Sequence, residues 1–111
     1  MTYTEVNSLM NELATTLKCD YANSAFKSGK RSRFLIFYYE NSDDLYADGK
    51  NYQGIESLVI EFYSPTKEIE SEKTINSILN AYDLAFSKTD AYINSEALHL
   101  TTYNTEVIIN G

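Results

Sequence analysis

Arg33-Phe34-Leu35-Ile36-Phe37-Tyr38-Tyr39-Glu40 is almost continuously apolar and aromatic. Side chains alternate along a strand, so Phe34, Ile36 and Tyr38 share one face and Leu35, Phe37 and Tyr39 the other. A strand apolar on both faces needs cover on both. In a chain of only 111 residues, a second subunit is one source of that cover.

C-terminal to this stretch, residues 41–54 are polar and turn-rich, with Asp48-Gly49 as a strong turn signal. Residues 55–63 alternate again, with Leu58, Ile60 and Phe62 facing one way and Val59, Glu61 and Tyr63 the other. Ser64-Pro65-Thr66 breaks the pattern. Ser64 with Pro65 at the first helical position, or Thr66, is expected to cap a helix running to about Tyr82. Glu68, Glu70 and Glu72 suit the positive end of that helix. Its inward stripe reads Ile69, Glu72, Ile75, Ile78, Leu79 and Tyr82, with Glu72 the odd member. Residues 84–93 and 97–109 read as a closing pair of strands joined at Asn94-Ser95-Glu96.

On the N-terminal side, residues 4–18 carry Val6, Leu9, Met10, Leu13, Ala14 and Leu17 on one helical stripe. Thr4 is a candidate N-cap, Glu5 suits the first turn and Lys18 the last. Residues 20–26 read as a short strand, followed by a turn at Lys27-Ser28-Gly29-Lys30. The expected order is α-β-β-β-α-β-β. The fold class is therefore α+β, with two helices packed on one face of a mostly antiparallel β-sheet, in one domain spanning 1–111.

The totals are those of a globular chain, 43% hydrophobic and 23% charged. One cysteine makes no internal disulfide and fits a reducing compartment. No apolar run is long enough for a bilayer, and the N-terminus lacks the pattern of a signal peptide. A net charge of −7 argues against specific nucleic-acid binding, which needs a basic footprint. The charge is uneven: residues 1–50 hold six Lys/Arg and seven Asp/Glu, and residues 51–111 hold three and nine. Ten tyrosines and no tryptophan suit an aromatic half-buried sheet, with a share of the tyrosines at subunit contacts.

Reaction chemistry has little to start from. His99 is the single histidine, with no motif pointing to a nucleophile beside it, and reads as structural or solvated. Cys19 lies near a helix C-terminus, the wrong end to activate a thiol, and reads as a buried structural residue. Asp43, Asp44 and Asp48 lack the spacing of a calcium loop. The four glycines are scattered and form no phosphate loop. No catalytic residue, cofactor or metal is therefore expected. Lys27, Lys30, Arg31 and Arg33 form the one basic cluster. It is either a charged hairpin end or a docking patch for an acidic partner. Reversing Lys30, Arg31 and Arg33 to glutamate is expected to leave the fold intact and to impair docking.

Several short motifs have a familiar pattern. Tyr38-Tyr39-Glu40, then Tyr46-Ala47-Asp48-Gly49, then Ile60-Glu61-Phe62-Tyr63-Ser64, then Glu72 in the following helix resemble the small tail-terminator, or tail-completion, proteins of long-tailed bacteriophages. Tyr92-Ile93-Asn94-Ser95-Glu96 followed by Tyr103 is similar to that family's closing hairpin. The resemblance spans residues 34–107. Gly49 stands where asparagine is commoner, and Ser64 where threonine is.

The resemblance implies a non-enzymatic virion protein assembled in the host bacterial cytoplasm. Its copies form a ring, usually hexameric, that caps the head-proximal end of the tail tube and stops its polymerisation. The implied partners are other copies of the chain, the major tail tube protein and the head–tail connector proteins. Genome DNA passes through such a ring, and no membrane is involved. The family's working residues are interfaces. The candidates here are Lys27, Lys30, Arg31, Arg33, Leu35, Phe37, Tyr39, Tyr46, Asp48, Tyr63 and Tyr103. Two rival readings stand beside it: a head–tail connector or stopper of the phage neck, and a small acidic inhibitor or immunity-type module that masks a basic partner.

Overall fold

The structure is a computed structural model, and it describes residues 1–26, 32–40 and 54–109. Helix α1 (Tyr3–Leu17) is followed by strands β1 (Asp20–Asn23), β2 (Phe34–Glu40) and β3 (Gly54–Ser64). Helix α2 (Ile69–Ala81), β4 (Phe86–Ile93) and β5 (Leu98–Ile109) complete the chain. This is the α-β-β-β-α-β-β order expected from the sequence, in an α+β fold. The strands form one sheet in the order β1-β2-β3-β5-β4, antiparallel throughout except for the β1–β2 pair.

The cap of helix α1 lies two residues before the expected Thr4. Thr2 is the N-cap: its hydroxyl accepts from Glu5 N–H at 3.1 Å, and the Glu5 carboxylate accepts from Thr2 N–H at 2.8 Å. Two donors at the helix start are thereby satisfied reciprocally. All six residues of the predicted stripe are buried. The helix stops at Lys18, whose backbone turns left-handed (φ 58°), and the chain enters the sheet.

The second helix departs from expectation at its start. Ser64 and Thr66 do not cap it, and Pro65 is not its first residue. Ser64 is the last residue of β3, held opposite His99 of β5, and its hydroxyl donates to the Thr66 carbonyl at 2.7 Å. The cap position is Glu68, and no side-chain hydrogen bond caps the helix there, because the Glu68 carboxylate is taken by Arg33 and by the Ser71 hydroxyl. Ile69 is exposed rather than inward, so the stripe begins with Glu72, buried to 3% exposure, and continues through Ile75, Ile78 and Leu79. The first strand ends at Asn23, short of the expected residue 26.

Register decides where the core sits. Leu35 lies opposite Phe62 and Phe37 opposite Ile60. Ile60 in turn lies opposite Tyr103 of β5. These side chains share one face of the sheet and join the α1 and α2 stripes in a single apolar cluster. Fully burying an aliphatic or aromatic side chain of this kind contributes about 1.5–3 kcal/mol. The opposite, outer face carries Phe34, Ile36 and Tyr38 of β2 and Val59, Glu61 and Tyr63 of β3. Neither helix lies on it.

Candidate functional site

The outer face is organised in cross-strand rows. Phe34, Tyr63 and Leu100 form one row and Ile36, Glu61 and Thr102 the next. Tyr38, Val59 and Asn104 follow, then Glu40, Ser57 and Glu106. The Phe34 and Tyr63 rings stack with centroids 4.6 Å apart and planes 16° from parallel, and Phe26 meets Phe34 edge-on at 5.5 Å. Glu61 sits between two tyrosines: Tyr63 donates to Oε1 at 2.8 Å and Tyr38 to Oε2 at 3.4 Å. Burial and the nearby Glu61 carboxylate push both phenols above their usual pKa. Ile36 and Val59 are almost sealed, at 7% and 1% exposure, while Phe34, Tyr38 and Tyr63 remain half-buried. Beyond the Glu40 row, Ile108 lies opposite Ile55 and is 49% exposed.

The charge on this face has one sign. Asp20, Glu40, Glu61 and Glu106 are on it, and no Lys or Arg is among its described strand residues. Among the described residues, Arg33, Lys67 and Lys88 lie on the helix side, and each is paired. Arg33 forms a two-pronged contact with Glu68 through Nε and Nη2, both at 2.9 Å, and donates through Nη1 to the Leu17 carbonyl at the end of α1. Its guanidinium also lies 5.4 Å from the centroid of the Phe62 ring. Lys88 and Lys67 hold the two oxygens of Glu72 at 2.5 and 2.8 Å, and Lys67 reaches Asp90 at 2.8 Å.

Several sequence-derived candidates are relocated by this geometry. Leu35, Phe37 and Tyr103 are not surface residues: their exposures are 0%, 2% and 0%. The β2–β3–β5 register turns them under the helices, where the chain's own apolar stripes cover them. Tyr39, on the same face, is half-buried with its ring edge-on to Tyr3 at 5.1 Å, and burial raises its phenol to about 12. Arg33 is not a free docking charge, because Glu68 and the α1 terminus occupy it. Tyr63 does lie on the outer face. Lys27, Lys30, Arg31, Tyr46 and Asp48 lie outside the described residues. The residues that sequence reasoning passed over are Phe34, Tyr38, Glu61 and Ile108. The alternation of the Phe34–Tyr39 run marked both of its faces as apolar, but nothing local ranks one above the other.

Cys19 is half-buried rather than fully buried, and burial raises its thiol pKa. His99 is on β5 with its ring 5.0 Å from that of Tyr92. Among the described residues no group of three or more His, Cys, Asp or Glu side chains is placed to hold a metal ion. None of the described helices is long and apolar enough to cross a membrane.

The paired charges set the pH range of the fold. Hydrogen bonding to Arg33 holds Glu68 below its usual 4.5, and hydrogen bonding to Lys67 lowers Asp90. A lowered carboxylate contributes stability that is present above the unfolded pKa and is lost as pH falls through the folded one. Burial raises Tyr39, Tyr63 and Tyr103 above 10, so their contribution is complete below pH 10 and is lost as pH rises. Urea midpoints measured across pH should therefore hold a plateau and fall below about 4.5 and above 10. A midpoint that keeps rising into acid would contradict the Arg33–Glu68 contribution.

Compared with family models, with curated proteins and with solved structures, the chain matches none of them.

Proposed function

We propose that this chain is a structural assembly protein of a long-tailed bacteriophage, a tail terminator whose copies form a ring on the head-proximal end of the tail tube. In this reading the ring, of six copies as the resemblance implies, stops tube growth and presents a surface to the head–tail connector proteins. The observation that carries the reading is the outer sheet face, where half-buried Phe34, Tyr38 and Tyr63 and exposed Ile108 lie with no described helix over them. Such a surface is suited to burial against other protein. The resemblance of residues 34–107 supplies the identity of the assembly, and Tyr38, Glu61 and Tyr63 belong both to its motifs and to this face.

Packing in a closed ring is head-to-tail, so two different patches meet. The acidic outer face suits one half of such a contact, because two copies of it placed together would bring Glu61 against Glu61. The same acidity favours a second reading, a module that masks a basic partner.

Deleting the encoding gene from its phage should give tails of uncontrolled length or tails that fail to join heads, seen by negative-stain microscopy. Normal infectious particles would reject the role. Affinity capture separates the two readings: tail tube protein should be retained under the first, and one tight basic partner in its place under the second.

A further inference from the structure

Strand β4 closes the sheet on the side away from β1, and among the described residues no strand pairs with its outer edge. Its six central residues are exposed. An open edge of this length presents unpaired N–H and C=O groups and is a template for another strand. Natural edges are commonly protected by charge. Here the charges are arranged so that the strand complements itself.

The strand reads Phe86-Ser87-Lys88-Thr89-Asp90-Ala91-Tyr92-Ile93. Two copies running antiparallel about a two-fold axis at Thr89 place Lys88 opposite Asp90 of the second copy, and Asp90 opposite its Lys88. Phe86 then faces Tyr92 of the second copy, and Tyr92 is 50% exposed in the single chain. Opposite charges and aromatic pairs directly across strands are the stabilising combinations. Shifting the axis to Lys88 or to Asp90 sets like charges opposite each other. A half-residue shift pairs side chains from opposite faces of the sheet. Thr89 is the register in which both charges are matched.

The match extends into the helix layer. Glu72, on the buried stripe of α2, holds Lys88 at 2.5 Å and Lys67 at 2.8 Å, and Lys67 holds Asp90 at 2.8 Å. Across the axis the signs run Glu72, Lys88, Asp90 of the second copy, then that copy's Lys67 and Glu72, alternating without a clash. The two-fold stands perpendicular to the sheet, so the helices of both copies lie on the same side.

We infer that the free protein forms an isologous dimer through β4–β4 pairing centred on Thr89, joining two five-stranded sheets into one. The contact does not rest on the tail-terminator reading. It closes at two copies, and it leaves the outer face available for a separate head-to-tail contact. An edge contact is small beside the ~1,600 Å² of a standard interface, so the expected dissociation constant is in the roughly micromolar to sub-millimolar range.

The test uses the full chain with Cys19→Ser, carrying Thr89→Cys, Ser87→Cys or Ala91→Cys. Facing residues of an antiparallel pair have Cα atoms about 4.5–5.5 Å apart, within disulfide reach. Mild oxidation should convert Thr89→Cys to a covalent dimer. Ser87→Cys and Ala91→Cys should each stay monomeric alone and cross-link when mixed, because 87 faces 91. Thr89→Lys places two ammonium groups at the axis, and it should weaken dimerisation in sedimentation runs at least ~10-fold with unchanged thermal unfolding. Equal cross-linking at all three positions, a wild-type monomer at about 1 mM, or a Thr89→Lys protein that dimerises as the wild type does would overturn the inference. Gene deletion tests the virion role separately, so failure of one leaves the other standing.

Discussion

Tyr103→Ala lowers the unfolding free energy by about 3–5 kcal/mol, read from urea denaturation followed by circular dichroism. Tyr103 is fully buried, packs edge-to-face on Phe86 at 5.5 Å and donates its hydroxyl to the Glu72 carbonyl at 3.3 Å. The substitution removes the ring, leaves a cavity against Ile60 and withdraws a donor from a buried carbonyl. Natural domains have total stabilities of about 5–15 kcal/mol, so the variant would sit near the limit of folding. Tyr103→Phe is the control: it keeps the ring and loses only the hydrogen bond, for about 1 kcal/mol. A Tyr103→Ala protein as stable as the wild type would show the ring to be surface, as its place among the candidate interface residues would require.

Arg33→Glu is expected to be the second most damaging change, by about 2 kcal/mol after allowance for partial solvent screening. The side chain joins α2 to the sheet through Glu68 and Ser71, and it joins the end of α1 through the Leu17 carbonyl. Reversal puts two carboxylates together and adds negative charge at the negative end of a helix. Glu68→Arg in the same chain should recover part of the loss, and denaturant midpoints of the four proteins in the cycle measure the coupling. This revises, for Arg33, the expectation that reversing Lys30, Arg31 and Arg33 leaves the fold intact, because Arg33 is an internal tie between layers. Zero coupling between positions 33 and 68 would restore the simpler view of a solvated charge.

Glu72 shows how far a sequence pattern reaches. The helical period marked it as a misfit in an apolar stripe, and it is indeed buried. The pattern did not identify its partners. Lys67 precedes the helix and Lys88 lies on another strand, so their meeting depends on how β4 docks beside β5. The start of α2 departs from its local signal for a related reason. Ser64-Pro65 carries a cap signature, but pairing with β5 holds Ser64 in the sheet, and ladder hydrogen bonds outweigh a weak local preference.

By itself the sequence determined the element types and their order, because periods of 3.6 and 2 are properties of neighbouring residues. It also determined that the Phe34–Tyr39 strand is apolar on both sides. Only the tertiary structure decided which side the helices cover. Leu35, Phe37 and Tyr39 are nearly equal in hydrophobicity to Phe34, Ile36 and Tyr38, so local preference leaves the choice open. The register with β3 and β5 settles it, since Leu35 and Phe37 join Phe62, Ile60 and Tyr103 beneath α1 and α2. That pairing links residues tens of positions apart, and no local window of sequence contains it.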